Sequence, residues 1–179
     1  MRRAVKLSIV TTLYKSAPYI EEFHRRAGEA ARQLAGEDYE IVMVNDGSPD
    51  NSLDMALPLV EQDPRLKIVD LSRNFGHYPA MMTGLRYAAG DLVFLLDSDL
   101  EEEPEWLLPF MQQMETEQCD VVYGVQKKRK GSLFEQVSGE LFYRFFEVLS
   151  SLPKQPRNSI TARLMRRDYV NALLMHQER

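Results

Sequence analysis

The stretch Asp91-Leu92-Val93-Phe94-Leu95-Leu96-Asp97-Ser98-Asp99 decides how this chain is read. Its middle is apolar throughout rather than alternating. A strand of that kind is covered on both faces, as parallel strands of α/β folds are. Short β-branched runs of the same character precede it at 5–12 (VKLSIVTT), 39–45 (YEIVMVN) and 66–71 (LKIVDL), and another follows at 120–124 (DVVYG). Helix-length segments separate them. The segment 18–34 starts behind Ser16-Ala17-Pro18, with proline early in its first turn. The segment 52–62 follows the turn Asp46-Gly47-Ser48-Pro49-Asp50, and 78–89 stops at Gly90. The segment 104–118 follows an acidic stretch that suits a helix N-terminus. This alternation predicts an α/β fold: an open, parallel sheet with helices on both faces. Ligand-binding residues are then expected just beyond the carboxyl ends of the strands.

Composition narrows the class. The chain has 179 residues, within the ~100–200 usual for one domain, and can bury roughly 70% of its unfolded surface without a staple. With 44% hydrophobic and 27% charged residues, it is not a disordered, collagen-like or coiled-coil chain. A net charge of −5 argues against nucleic acid as a partner. The single cysteine, Cys119, forbids an intrachain disulfide and points to a reducing compartment. The N-terminus is basic, but the apolar run behind it is too short and too polar for a signal peptide. No run reaches the ~18 apolar residues of a membrane span.

The acids after the fourth strand carry the sharpest signal. Strand alternation puts Asp97 and Asp99 on one side and Ser98 on the other. Two carboxylates at a ligand-binding edge suit Mg²⁺ or Mn²⁺, which take oxygen ligands and keep bound phosphate oxygens. The plainer alternative is that these acids only begin the next helix. Asn45-Asp46-Gly47-Ser48 ends the second strand and is also made of turn formers. Arg73, in Arg73-Asn74-Phe75-Gly76, has a fork of donors for a phosphate, or is simply a surface arginine. His77 is read as a structural or helix-capping residue.

After Gly124 the character changes. Residues 126–131 form a basic loop, and 132–150 (SLFEQVSGELFYRFFEVLS) has helical spacing with a wide aromatic face. A loop with two prolines (151–159) leads to a short apolar piece and a helix over 160–179. The expected division therefore falls between 1–125 and 126–179. Lys127, Lys128, Arg129 and Lys130 are either a solvated loop or a contact for anionic phosphate or a membrane surface, at ~1 kcal/mol per basic residue near an anionic bilayer.

Together, T-T-L-Y after the first strand, N-D-G-S-x-D after the second, R-N-F-G-x-x-x-A-x-x-x-G-x-x-x-A-x-G-D from the third to the fourth, and D-S-D-L after the fourth resemble the family 2 glycosyltransferases. More narrowly they are similar to the branch of dolichol-phosphate mannose synthase and bacterial polyprenyl-phosphate glycosyltransferases. The likeness covers about residues 5 to 175. Neither the Rossmann G-x-G-x-x-G nor the P-loop is present. The resemblance implies the GT-A fold, a Rossmann-like sandwich with a mostly parallel central sheet, with 1–125 as the donor-binding part and 126–179 as the acceptor side. It implies a UDP-, GDP- or dTDP-linked sugar donor, and a polyprenyl phosphate or a cell-envelope glycan precursor as acceptor. Transfer would be metal-dependent and inverting.

Position by position, the resemblance puts Thr11, Thr12 and Tyr14 at the base and ribose and Asp46 on the base. Arg73 and Gly76 lie near the base and diphosphate. Asp97 approaches ribose and metal, and Asp99 binds the metal that bridges the diphosphate and is a candidate catalytic residue. Where family members often read D-A-D-L-Q-D-P-P-E, this chain has D-S-D-L-E-E-E-P-E, so Glu101 becomes a third metal-ligand candidate. Where the polyprenyl branch often reads R-N-x-x-D-F-R-L-M, this chain has Arg157-Asn158-Ser159-Ile160-Thr161-Ala162-Arg163-Leu164-Met165. Thr161 replaces the acid, which leaves Glu178 as the candidate base. Arg163 joins the basic loop as a candidate acceptor or phosphate contact. Relatives of that branch often carry membrane helices beyond this point. The expectation is therefore a truncated chain, cytoplasmic or at the cytoplasmic face of a membrane. Two other functions stay open: a non-catalytic nucleotide-sugar-binding protein, and a sugar nucleotidyltransferase. The latter favours a glycine-rich loop after the first strand, which Thr11 to Lys15 is not.

Overall fold

The computed structural model describes residues 5–125 and 159–175. The apolar runs form strands where their patterns place them. β1 (Leu7–Leu13), β2 (Tyr39–Asn45) and β4 (Leu92–Leu95) are buried at every position, as strands covered on both faces must be. β3 (Leu66–Asp70) and β5 (Val121–Val125) are only partly buried, which suits their places at the two edges of the sheet. With β6 (Ser159–Arg166) the order is β3-β2-β1-β4-β6-β5. β1 pairs in parallel with β2 and β4, setting Val10 beside Val42 and Leu95, and β2 pairs in parallel with β3.

The sheet departs from the all-parallel expectation at one place. β6 runs antiparallel to β4, from Leu92↔Arg166 to Leu95↔Arg163, and stands between β4 and β5. The C-terminal stretch, read as a short apolar piece and a helix, is this inserted strand followed by α5 (Arg167–Met175). The sheet remains mostly parallel.

Helices cover both faces because their apolar positions recur every three or four residues. α1 (Ile20–Ala35) buries Ile20, Phe23, Ala27, Ala30 and Ala31. α2 (Ser52–Gln62), α3 (His77–Tyr87) and α4 (Leu107–Glu117) follow, the last entered through a 3₁₀ turn at Pro104–Trp106. In α3 the small residues Ala80 and Gly84 face the sheet, with Ala88 just past its end. A Cβ on Gly84 would sit 2.4 Å from Val10 Cγ1 and 3.1 Å from Val44 Cγ2. The helix therefore lies directly on β1 and β2. Its N-terminal end is thereby held beside the carboxyl end of β1.

Residues 5–123 and 161–175 fall in one compact unit. The basic loop, the expected aromatic helix, the proline loop as far as residue 158, and Glu178 lie outside the described residues. No helix among the described residues is long and apolar enough to cross a membrane.

Candidate active site

A cleft of about 540 Å³ opens beyond β1 and β4, lined by Thr12, Tyr14, Ser16, Asn74, Gly76, His77, Asp97, Ser98 and Asp99. Three loops meet there, and each is held by side chains from the next. Behind β1, the Tyr14 amide donates to Ser16 Oγ at 3.0 Å, the Lys15 amide to Ser48 Oγ at 2.8 Å, and the Ser16 amide to Ser52 Oγ at 2.9 Å. Asp50 gathers this clasp. Its oxygens accept from the Ser48 and Ser52 hydroxyls and from the amides of Ser52 and Ala17. Burial pushes its carboxyl up, but those four donors outweigh it and hold the group down at about 2.

Asp46 builds the second loop. It is 2% exposed, with one oxygen accepting from the Phe75 amide at 2.8 Å and the other from the Gly76 amide at 3.1 Å. Gly47, at φ +57, allows the close approach that this needs: a Cβ there would lie 2.4 Å from both the Arg73 carbonyl carbon and the Asn74 nitrogen. The turn after β2 thus carries Asn74, Gly76 and His77 to the cleft. Arg73 is not in the lining; its guanidinium sits over the Phe75 ring, 4.8 Å from the centroid.

The third loop carries the acids. Ser98 is buried, its hydroxyl 2.9 Å from both the Thr12 carbonyl oxygen and Ser16 Oγ. This pins the loop to the end of β1 and leaves Asp97 and Asp99 on the cleft. The His77 ring bridges Thr12 and Asp97, with Nδ1 3.3 Å from Thr12 Oγ1 and Nε2 3.5 Å from Asp97 Oδ1. Burial raises the Asp97 carboxyl and the Asp99 charge adds to the rise, against His77, the Thr161 hydroxyl and Arg163. The chain then turns at Leu100 (φ +63), where Asp99 Oδ1 accepts the Glu101 amide at 3.0 Å. That turn aims Glu102 inward, 7% exposed. Burial pushes its carboxyl up while the amides of Asp97, Ala162 and Thr161 donate to it.

These residues fit a hard divalent cation of a particular kind. Asp97 and Asp99 share one cleft, and the Asp99 charge adds to the cost of ionising Asp97, which a bound cation would relieve. Among the described residues there is no group of three or more His, Cys, Asp or Glu side chains that could hold a metal alone. Glu101 is off the lining. A cation here would complete its shell with oxygens of a bound phosphate, as Mg²⁺ and Mn²⁺ usually do.

Of the expected site residues, Thr12, Tyr14, Gly76, Asp97 and Asp99 meet in the cleft. Thr11 does not: strand alternation turns it away from Thr12, fully buried and with its hydroxyl unpartnered. Asp46 lies behind the lining and acts on it through the amides of Phe75 and Gly76. Arg163 sits on β6, its Nε donating to the Thr161 carbonyl at 2.9 Å. Lys127, Lys128, Arg129, Lys130 and Glu178 lie outside the described residues. The sequence reading missed His77, which lines the cleft, as well as Ser16 and the inward Glu102. Their signal is tertiary, apart from the place of His77 directly after R-N-F-G.

The sequence model described as Glycosyl transferase family 2 matches residues 8–174. A Mycobacterium tuberculosis protein that carries a glycosyltransferase name is 48% identical over 175 residues, which is 98% of this chain and 51% of that protein. The chain is similar to S. aureus TarS 1–349 in complex with UDP-GlcNAc, with a TM-score of 0.54 and 25% identity, covering 71% of this chain and 36% of that one. It shares its fold with the mannosyltransferase PcManGT from Pyrobaculum calidifontis, solved with GDP-Man and Mn²⁺, at TM-score 0.64 and 19% identity over 96% of this chain and 47% of that one. The chain thus spans about half the length of the curated relatives it matches in sequence.

Proposed function

The chain belongs to glycosyl transferase family 2 and has its GT-A fold, and from this premise we propose that it transfers a sugar from a nucleotide-sugar in a metal-dependent, inverting displacement. The observation that carries this reading is that Asp97 and Asp99 line one cleft with Thr12 and Tyr14 at the end of β1. UDP-GlcNAc binding by TarS, 25% identical to this chain, supports a nucleotide-sugar donor.

Thr12 and Tyr14 would meet the nucleoside, and Asn74 and Gly76 would approach it from the loop that Asp46 holds in place. Asp97 and Asp99 would hold Mg²⁺ or Mn²⁺ against the diphosphate. Bound there, the cation would offset the charge that grows on the leaving nucleoside diphosphate. The acceptor oxygen attacks the anomeric carbon from the opposite face. Its new bond forms as the bond to the diphosphate breaks, which inverts the carbon.

A polyprenyl phosphate is the acceptor that best suits these residues. A hydroxyl acceptor needs a general base. At the position where the branch carries an acid this chain has Thr161, and its hydroxyl is hydrogen-bonded to Asp97. A lipid phosphate, with a second pKa of about 6, is already largely ionised at neutral pH. Arg163 on the same strand, with Lys127 to Lys130, would contact it at the cytoplasmic face of a membrane. In a second reading the acceptor is a glycan-precursor hydroxyl, with Glu178 as base.

Incubation with Mn²⁺ and UDP-, GDP- or dTDP-sugars tests the reading, because water can replace the acceptor. Slow release of nucleoside diphosphate from one donor, abolished in Asp99→Asn, is expected. Donor binding without release would instead favour a non-catalytic nucleotide-sugar-binding protein.

A further inference from the structure

Residues 101–103 are three consecutive glutamates, and only the middle one is buried. A buried carboxylate is costly unless hydrogen bonds replace its water. Glu102 has them. Oε2 accepts the Asp97 amide at 3.0 Å, and the amides of Ala162 and Thr161 also donate to the carboxylate. These donors sit on two different elements. Asp97 follows β4, while Thr161 and Ala162 belong to β6.

The register explains why an acid stands there. The ladder between β4 and β6 ends at Leu95↔Arg163. One step further it would set Leu96 against Ala162, and the next Asp97 against Thr161. There β4 has given way to the loop of acids, so amides on both sides would lose their partners. The Glu102 carboxylate stands in for the missing rungs.

We propose that Glu102 is a positioning residue that staples the Asp97–Asp99 loop to β6, so that the donor-side carboxylates and the acceptor-side strand are held as one body. Its role in transfer rests on the proposed function; the staple itself does not. Only a carboxylate, with acceptor sites on both oxygens and no donor, satisfies all three amides. A glutamine would turn an N–H₂ group toward amide donors.

Hydrogen exchange on the full chain reads the staple directly. In Glu102→Gln, exchange should rise on the order of tenfold in peptides covering 95–103 and 159–166 together, with β1 and β2 unchanged. Calorimetry reads the consequence. The gain in UDP or GDP affinity on adding Mn²⁺ should shrink about tenfold, while affinity without metal stays the same. A merely structural role would lower the Tm without moving that ratio. If Glu102→Gln does not fold, Glu102→Asp, too short to reach both elements, is measured in the same way. Unchanged exchange in both segments, or a folded variant with the wild-type Mn²⁺ gain, overturns the inference. A wild type with no Mn²⁺ gain contradicts the proposed function instead, and the exchange experiment still decides the staple.

Discussion

The carboxylate of Asp46 spans the gap from the end of β2 to Gly76, whose amide donates to it at 3.1 Å, while its other oxygen holds the Phe75 amide at 2.8 Å. Both oxygens are engaged and the residue is buried, so a turn acid shapes a cleft whose wall lies one layer further out.

Replacing Asp46 should therefore affect fold and ligand together. Asp46→Ala removes two charge-assisted hydrogen bonds and leaves two amides without partners, at about 2–4 kcal/mol of stability. Urea unfolding should show that loss. Nucleotide affinity should fall on the order of tenfold to a hundredfold, because Gly76 and His77 lose their anchor. Unchanged stability would mean that the loop from Arg73 to Gly76 holds its shape without Asp46.

Gly47→Ala places a methyl 2.4 Å from the backbone at Arg73 and Asn74, at a φ of +57. Backbone cannot swing aside as a flexible side chain can. We expect a loss of about 2–4 kcal/mol, measured as a lowered urea midpoint. Gly36→Ala is the control. It has a similar φ of +60 but nothing within 4 Å, so it carries only the backbone strain.

Asp50 should make the clasp acid-sensitive. Its carboxyl is held down at about 2 in the folded protein, below the ordinary aspartate value of about 3.9. A depressed acid contributes stability that is present above its unfolded value and is lost as pH falls through its folded value. Thermal stability should drop between pH 4 and pH 2, and Asp50→Asn should drop less over the same window while starting lower. Parallel curves for the two proteins would contradict the clasp.

The acceptor separates by its need for a base. Glu178→Gln should leave transfer to a polyprenyl phosphate nearly unchanged and slow transfer to a glycan hydroxyl. Charge reversal at Lys127 to Lys130 should have the opposite selectivity. Product formation measured with both acceptors checks the pair.

The part from β1 to the loop of acids was legible because local chemistry and topology agree there. Apolar runs became strands, and the acids, turn formers and glycines that follow them became the loops around the cleft. The small-residue spacing from Ala80 to Ala88 is likewise the sequence form of α3 lying on β1 and β2. The remainder depends on contacts between distant segments. Nothing in Ser159 to Arg166 states that it pairs antiparallel with β4. Burial of Glu102 between two exposed glutamates follows from the turn at Leu100 and from amides supplied by β6. His77 matters because Thr12 and Asp97 converge on it from other strands.

On the proposed function, a divalent cation held by Asp97 and Asp99 couples to the binding of a nucleoside diphosphate. Calorimetry of UDP and GDP binding to wild type and Asp99→Asn, with and without Mn²⁺, measures that coupling. Mn²⁺ should strengthen binding of at least one nucleotide to wild type, and folded Asp99→Asn should lose this gain. Equal affinity with and without Mn²⁺ for every nucleotide that binds wild type would contradict it.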